Sequence, residues 1–583
     1  MKNEIMVLGL AVALPFVAIA EERWAVIDSY RPYENGLYTV SGDAVPEGAN
    51  AWYEPQTGRL TTFTGEMTDD YLATRYGISF SPMATNRVFR TPPVGWMTWY
   101  AVRFKASDAV VMRNARDFMV KFRGYTDEKP VLWVDWEWFH SRFRENGDET
   151  NTDMLMPRKD VYPRGLKPVA DDLKALGFTP ALWVSVLSDV RTNALWKAHP
   201  EWVLGDHLMW CGAFFGNPSA PGYCEEFVPH IFNLYKGWGY EAFKWDTVPA
   251  AFCRIADFHA HGRPVALPRE AMRVCARAIR KAVGERCYVM SCSGERENAN
   301  FSVIDLVDGG RIGHDIFSWY DFRMWGVNAI LSYLPFHNTV YWADADNLVL
   351  RKEYSTEAQA RTRVSIYALA GVPITLGDEI AALDDKRIEM VRRAMPVVPL
   401  RPASLSRGTP AGDLLPLRAD FKRTFGAWQV RGWSNLTTNK TESASFTVRA
   451  SAVWDFWNDC LVSAEKGEKT LSVTVAPGDT ALFRVTPLET NAPTLLSISR
   501  HLTQGGYELK DYAADEKGVR GVVRCPGGET VTVTLLLPEG AGVASASHPF
   551  ACEGRIVRLR LTSADRADVQ FSLNVKAVVK CQD

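Results

Sequence analysis

Four short apolar runs in this chain end on acidic residues. They are Asp135-Trp136-Glu137, Lys244-Trp245-Asp246, Arg311-Ile312-Gly313-His314-Asp315 and Trp342-Ala343-Asp344-Ala345-Asp346. An Asp at the end of a strand is ordinarily a helix N-cap or a turn residue. Several around one rim, among Trp and Arg, supply what cleavage of a glycosidic bond requires: two carboxylates flanking a sugar. Lys244 lies two residues before Asp246, so on a strand both side chains point the same way. Its charge would lower the Asp246 pKa and could hold a hydroxyl, which suits an ionised nucleophile. Asp315 sits in a glycine-containing loop near that negative charge, which suits a general acid with a raised pKa. Arg311, four residues earlier, either contacts a hydroxyl beside the reacting carbon or forms an ion pair with Asp308 or Asp344.

Such residues need a scaffold that brings strand ends together. The strand candidates are Gly95–Tyr100, Val131–Trp136, Thr179–Val186, Ala242–Asp246, Cys287–Cys292, Leu306–Ile312, Thr339–Trp342 and Pro373–Leu376. Helical patterns lie between them, including Ser107–Phe122, Leu166–Leu176, Arg269–Val283, Thr356–Ala370 and Lys386–Met395, with Ser107 and Ser355 as N-caps and Gly177, Gly284 and Gly371 as stops. This alternation over residues 91–400 predicts an α/β fold, a (β/α)8 TIM barrel with its chemistry at the C-terminal strand ends. Residues 21–90 read as an extended N-terminal segment. After Pro402 the pattern becomes alternating apolar and polar, which predicts an antiparallel β-sandwich over 401–490 and a second small one over 491–583.

Composition narrows the partners. Net charge is -2 and no basic face stands out, which argues against nucleic acid. The 20 Trp residues suit either a large core or sugar stacking. Lys2, the apolar run Ile5–Ala20 and the small residues Ala18-Ile19-Ala20 predict a signal peptide over residues 1–20, cleaved near Ala20. The protein is then exported, with no membrane span, because Glu21, Glu22 and Arg23 end the run too early. An oxidising compartment permits disulfides, for which Cys211 with Cys224 and then Cys525 with Cys552 are the candidates, and Cys292 reads as a buried free thiol. The cysteine spacing fits no zinc module, and neither a metal nor a cofactor is expected.

Five motifs resemble glycoside hydrolase family 27. Thr91-Pro92-Pro93-Val94-Gly95-Trp96-Met97-Thr98-Trp99 is similar to its opening TPPMGWNSW. Tyr162 to Asp171, followed by Leu176-Gly177-Phe178, resembles its FPxGLKxLADYVHSKGLK segment. Phe243-Lys244-Trp245-Asp246 resembles its nucleophile strand, Arg311 to Asp315 its acid/base segment, and Trp342 to Leu348 its WNDPDML segment. They stand in the family's order over Thr91 to Leu348. The resemblance implies a retaining exo-acting α-glycoside hydrolase, most like an α-galactosidase, acting on an oligosaccharide or glycoconjugate without a metal. It implies Asp246 as nucleophile and Asp315 as acid/base, with Trp99, Asp135, Lys244 and Arg311 holding the sugar and Asp344 beside them.

Two departures bear on the sugar. The family's Asp-Asp pair after the second strand grips the galactose 4- and 6-hydroxyls, and here its second position is Trp136, which cannot accept a hydrogen bond. Ser291-Cys292-Ser293 resembles the Ser-Cys-Ser of α-N-acetylgalactosaminidases, where the small residue at the Ser293 position leaves room for an acetamido group. α-N-Acetylgalactosamine and β-L-arabinopyranose are therefore alternative sugars, and a non-catalytic carbohydrate-binding protein is the alternative class.

Overall fold

The structure, a computed structural model, describes residues 24–27, 37–40, 50–54, 57–76, 88–140, 152–189, 193–208, 213–246, 268–292, 303–333, 337–338, 341–400 and 412–577. The proposed leader, Cys211 and Ser293 lie outside them.

Eight strands form one parallel sheet: β1 (Val94–Met97), β2 (Val131–Val134), β3 (Thr179–Val184), β4 (Ala242–Trp245), β5 (Tyr288–Cys292), β6 (Gly309–Arg311), β7 (Trp342–Asp344) and β8 (Ile374–Leu376). Their order is β7-β6-β5-β4-β3-β2-β1-β8, and a parallel bridge from Leu348 to Leu376 joins the two edges into a barrel. Strands covered on both faces must be apolar throughout, and β2 and β3 are buried at every position. Met97, Trp133, Ala181, Ala242, Tyr288, Met290 and Trp342 pack together as the core inside the barrel. Gly95 is needed because a Cβ there would run into the Val131 carbonyl of β2.

The helices α1 (Asp108–Phe122), α2 (Leu166–Leu176), α4 (Pro268–Val283), α5 (Glu357–Ala370) and α6 (Asp385–Ala394) fall where the apolar periodicity places them, and α3 (Val228–Gly237) lies between β3 and β4 in addition. Ser107 caps α1 by accepting from the Val110 amide at 3.4 Å. The cap of α5 is Thr356 rather than Ser355: Thr356 and Gln359 form a capping box, while the Ser355 hydroxyl donates to the Val349 carbonyl. The first strand stops earlier than expected because Thr98–Val102 turns helical.

The N-terminal flanking region differs from expectation. The N-terminal segment holds a five-stranded antiparallel sheet, in the order Leu37–Val40, Trp24–Ile27, Ala51–Glu54, Arg59–Thr62, Met67–Thr68. Residues 414–487 form the expected antiparallel β-structure from one sheet of five strands, β9 (Leu414–Arg423), β10 (Gly426–Asn435), β11 (Glu442–Asp455), β12 (Cys460–Val475) and β13 (Thr480–Pro487), with a core of its own around Phe446, Leu471, Val473 and Phe483. A second apolar set meets the barrel: Leu415, Leu417, Val430 and Leu482 belong to the same core as the barrel helices. Residues 494–577 do form two four-stranded sheets around Val523, Val533, Leu559, Phe571 and Leu573.

Of the two expected disulfides, the pair with Cys211 involves a residue outside the described ones, and Cys525 and Cys552 are not joined. Cys224 is a free buried thiol that donates to the Pro218 carbonyl at 3.5 Å, and Cys525 is buried in one sheet of the C-terminal unit while Cys552 is exposed on the other. Cys292 is a free thiol, half-buried at the end of β5. Among the described residues no helix is long and apolar enough to cross a membrane.

Candidate active site

Strand alternation decides what enters the barrel mouth. Ala242 and Lys244 share one face of β4, and Lys244 stands in register with Trp183 of β3 and Met290 of β5. The Lys244 ammonium does not pair with Asp246. It donates to Asp135 Oδ2 at 2.9 Å, and both side chains are 3% exposed. Burial works against the charge on Lys244, but Asp135 and other nearby anions hold its pKa above the usual lysine range. Burial raises Asp135 in turn, with Lys244 pulling it back. The Asp135 carboxylate is also fixed by the Trp136 amide at 2.8 Å, and its own amide donates to Thr98 Oγ1 at 2.9 Å.

Asp246 and Asp315 each receive an indole N–H. Trp183 Nε1 donates to Asp246 Oδ2 at 2.7 Å, and Trp99 Nε1 donates to Asp315 Oδ2 at 3.2 Å. The Asp315 side chain is 53% exposed, at the rim. Desolvation of its inner side works to raise the Asp315 carboxyl, but the Arg311 guanidinium, with help from Tyr100 and Lys244, outweighs it and holds the group down at about 2. The sequence led to a raised value, and the ion pair with Arg311 is the reason for the difference. Asp246, Lys244, Arg311 and Asp315 all act electrostatically on the Cys292 thiol, which burial first pushes up. Arg311 stands in register with Cys292, 3.9 Å from its Sγ through Nη1, and β4, β5 and β6 are neighbours, so their ends bring these charged groups to one mouth.

Arg311 pairs with neither of the carboxylates considered from the sequence. Asp308 is taken by Arg280. Arg311 instead reaches Asp346 Oδ1 through Nη1 at 2.9 Å and Asp315 Oδ1 through Nη2 at 3.1 Å. Asp344 lies in register with Arg311, buried, where it accepts the Asp346 amide at 2.7 Å. Burial pushes the Asp344 carboxyl up to about 6 against the pull of Arg311. That turn geometry makes Asp344 a support for the loop after β7.

Beside Asp135 the mouth is aromatic. Trp99, Phe104 and Trp136 meet edge to face, with centroids 5.3 Å (Trp99–Phe104), 5.6 Å (Trp99–Trp136) and 6.0 Å (Phe104–Trp136) apart. Trp136 is 3% exposed, so its ring is a packed part of this wall. Glu137 does not replace the missing acid: its carboxylate is buried against Arg158 at 3.1 Å. Sequence reasoning missed Trp183, and it counted Asp346 among the strand-end acids without giving it a role. Trp183 sits two residues after Ala181 on β3, so alternation alone could have shown that it faces inward beside Lys244.

No family model matches the chain. Among solved structures, the chain is similar to a family 27 β-L-arabinopyranosidase from Geobacillus stearothermophilus, 16% identical, with a TM-score of 0.53 over 68% of this chain and 96% of that one. A variant of that enzyme solved with arabinose gives a TM-score of 0.54 at 16% identity, covering 68% of this chain and 98% of that one. α-Galactosidase I from Mortierella vinacea follows at 0.49 and 16% identity, covering 68% and 97%. The likeness is one of fold, a TIM barrel followed by antiparallel β-structure, and the two arabinopyranosidase structures belong to the family that the five motifs resemble.

Proposed function

We propose that the chain is a retaining, exo-acting α-glycoside hydrolase of the α-galactosidase type. One observation carries this reading: two carboxylates from different strand ends, Asp246 and Asp315, each held by an indole N–H, stand at one mouth with the buried Asp135–Lys244 pair. Asp246 attacks the anomeric carbon. The bond to the leaving group breaks as Asp315 protonates the departing oxygen, giving a glycosyl-enzyme. Asp315 then takes a proton from water, which attacks the same carbon and frees Asp246. In the open site Arg311 keeps Asp315 ionised. A sugar seated over it removes the water that favours the charge, and so favours the protonated form.

Trp136 favours a second reading within this chemistry. A buried indole gives no acceptor where a galactose hydroxyl would need one, and it suits a sugar without an exocyclic hydroxymethyl group, as in a β-L-arabinopyranoside. The test is a set of nitrophenyl α-D-galactoside, N-acetyl-α-D-galactosaminide and β-L-arabinopyranoside substrates, with NMR of the first-formed sugar. Hydrolysis with retention is expected. A faster rate on the arabinopyranoside than on the galactoside would make Trp136 decisive. Sugar binding without hydrolysis of any of them would overturn the enzyme reading in favour of a binding protein.

A further inference from the structure

Asp346 is fully buried, and it is not at the surface of the mouth. Its two carboxylate oxygens are used at two points of the loop that carries Asp315. Oδ1 takes Arg311 Nη1 at 2.9 Å, on the N-terminal side of that loop. Oδ2 takes the Ile316 amide at 2.7 Å, immediately after Asp315. Asn347 Nδ2 steadies Oδ1 at 3.1 Å, and the Asp346 amide is held by Asp344 at 2.7 Å. The other guanidinium nitrogen of Arg311 reaches Asp315 at 3.1 Å and the Gly313 carbonyl at 3.2 Å.

We propose that Asp346 is the positioning residue for Asp315: it clamps residues 311–316 from both sides and so fixes where the Asp315 carboxylate meets Trp99. This rests on the reading of Asp315 as acid/base. A carboxylate suits the role because both of its oxygens accept. An amide has one acceptor, and its NH2 would face either the guanidinium or the Ile316 N–H, both donors. The charge matters as well. Asp346 and Asp315 share one guanidinium, so loss of the Asp346 charge leaves Arg311 to Asp315 alone.

The test reads geometry and catalysis separately. In the full chain labelled with 15N-tryptophan, the Trp99 indole resonance is assigned by its loss in Trp99→Phe. Asp315→Asn moves that resonance because it changes the acceptor. Asp346→Asn, where Asn tolerates the positive φ of 77°, is expected to move it too, and to add little in the Asp315→Asn background. Unchanged melting and unchanged remaining indole resonances show that the fold is kept. Should Asn fail to fold, Asp346→Ser keeps an acceptor while losing the ion pair, and its expected outcome is the same. A Trp99 resonance unmoved by these variants overturns the proposal. In kinetics, Asp346→Asn is expected to slow glycosides with poor leaving groups roughly tenfold more than activated aryl glycosides. Equal slowing of both classes would mean a merely structural role and would also overturn it. If the wild type hydrolyses no glycoside, the enzyme reading fails, and the resonance still decides whether Asp346 positions Asp315.

Discussion

The barrel mouth and the interface with the C-terminal unit both bury arginine, and they treat its charge in opposite ways. At the mouth Arg311 lies between two carboxylates, and its charge is reinforced by Asp346 and Asp315 against the effect of burial. The other cluster lies where α1 and α6 end. These helices run back from the strand C-termini, so their far ends lie at the opposite side of the barrel. There Arg500 donates to the Arg392 and Met395 carbonyls at 2.6 and 2.7 Å and lies over the Tyr125 ring. Arg484 donates to the Gln504 carbonyl and lies over Trp428. Burial pushes both arginines down, Arg484 to about 9, which still leaves it charged at neutral pH. The interface meets its two buried cations, Arg484 and Arg500, with carbonyl oxygens and rings, and its carboxylate pairs, Arg392 with Glu529 and Arg566 with Asp127, lie at its half-exposed edge. The mouth meets its cations with carboxylates, so it keeps anions ready to attack and to exchange protons. That difference separates a docking surface from a reaction centre, and it can be broken at either end.

The largest effect belongs to the two rim carboxylates. Asp246→Ala removes the nucleophile, and the rate is expected to fall by several orders of magnitude on every glycoside. Asp315→Ala is expected to spare the first step for activated aryl glycosides and to leave a glycosyl-enzyme waiting for a base, seen as a burst of aryl alcohol. Azide then restores turnover with the anomeric configuration retained, whereas in Asp246→Ala it gives the inverted azide. Swapped azide products would reverse the two roles.

Next comes the buried pair below them. Lys244→Met leaves the Asp135 carboxylate buried without its cation, and removing one partner of such a pair costs about 3–5 kcal/mol. Urea unfolding of Lys244→Met and of the double variant with Asp135→Asn checks this. The double variant should recover much of the loss, and no recovery would mean that the pair is not a coupled unit.

Why the mouth was only partly legible follows from what sequence can encode locally. Barrel strands such as Val131–Val134 are short, wholly apolar runs, so they announce themselves, and the acids that follow them fall at strand ends by position alone. Partner choice is not local. Arg311 meets Asp346 from the loop after β7, whereas Asp308, three residues earlier and so on the opposite face of the extended segment, pairs with Arg280. The low pKa of Asp315 follows from that choice. Layering was hidden for a related reason: the alternation of β9 and β10 shows that one face is apolar, and it does not show that the barrel covers that face. The pairing of Cys525 with Cys552 suggested by spacing failed because spacing does not say which face a side chain takes: Cys525 is buried and Cys552 is exposed on the other sheet.

The smallest expected effect tests the interface end of the comparison. Glu508 is buried beside Arg500 and Arg484, yet burial outweighs these cations and pushes its carboxyl from 4.5 up to about 7. The sign follows from proton counting. Below about 4.5 the group is protonated in both folded and unfolded chains. Between 4.5 and about 7 the folded chain keeps a proton that the unfolded chain has lost, so stability declines as pH rises through this window. Above it the charge is buried at full penalty, roughly 3 kcal/mol for a shift of this size. Glu508→Gln is neutral throughout, and its shape is nearly the same. It should therefore match the wild type near pH 4.5 and exceed it above neutral pH, by several degrees in Tm, with a flatter pH dependence between. Thermal melts of both proteins across that range measure the difference. A variant less stable than the wild type at pH 8 would mean that Glu508 is held ionised by Arg500 and Arg484, and the interface would then resemble the barrel mouth after all.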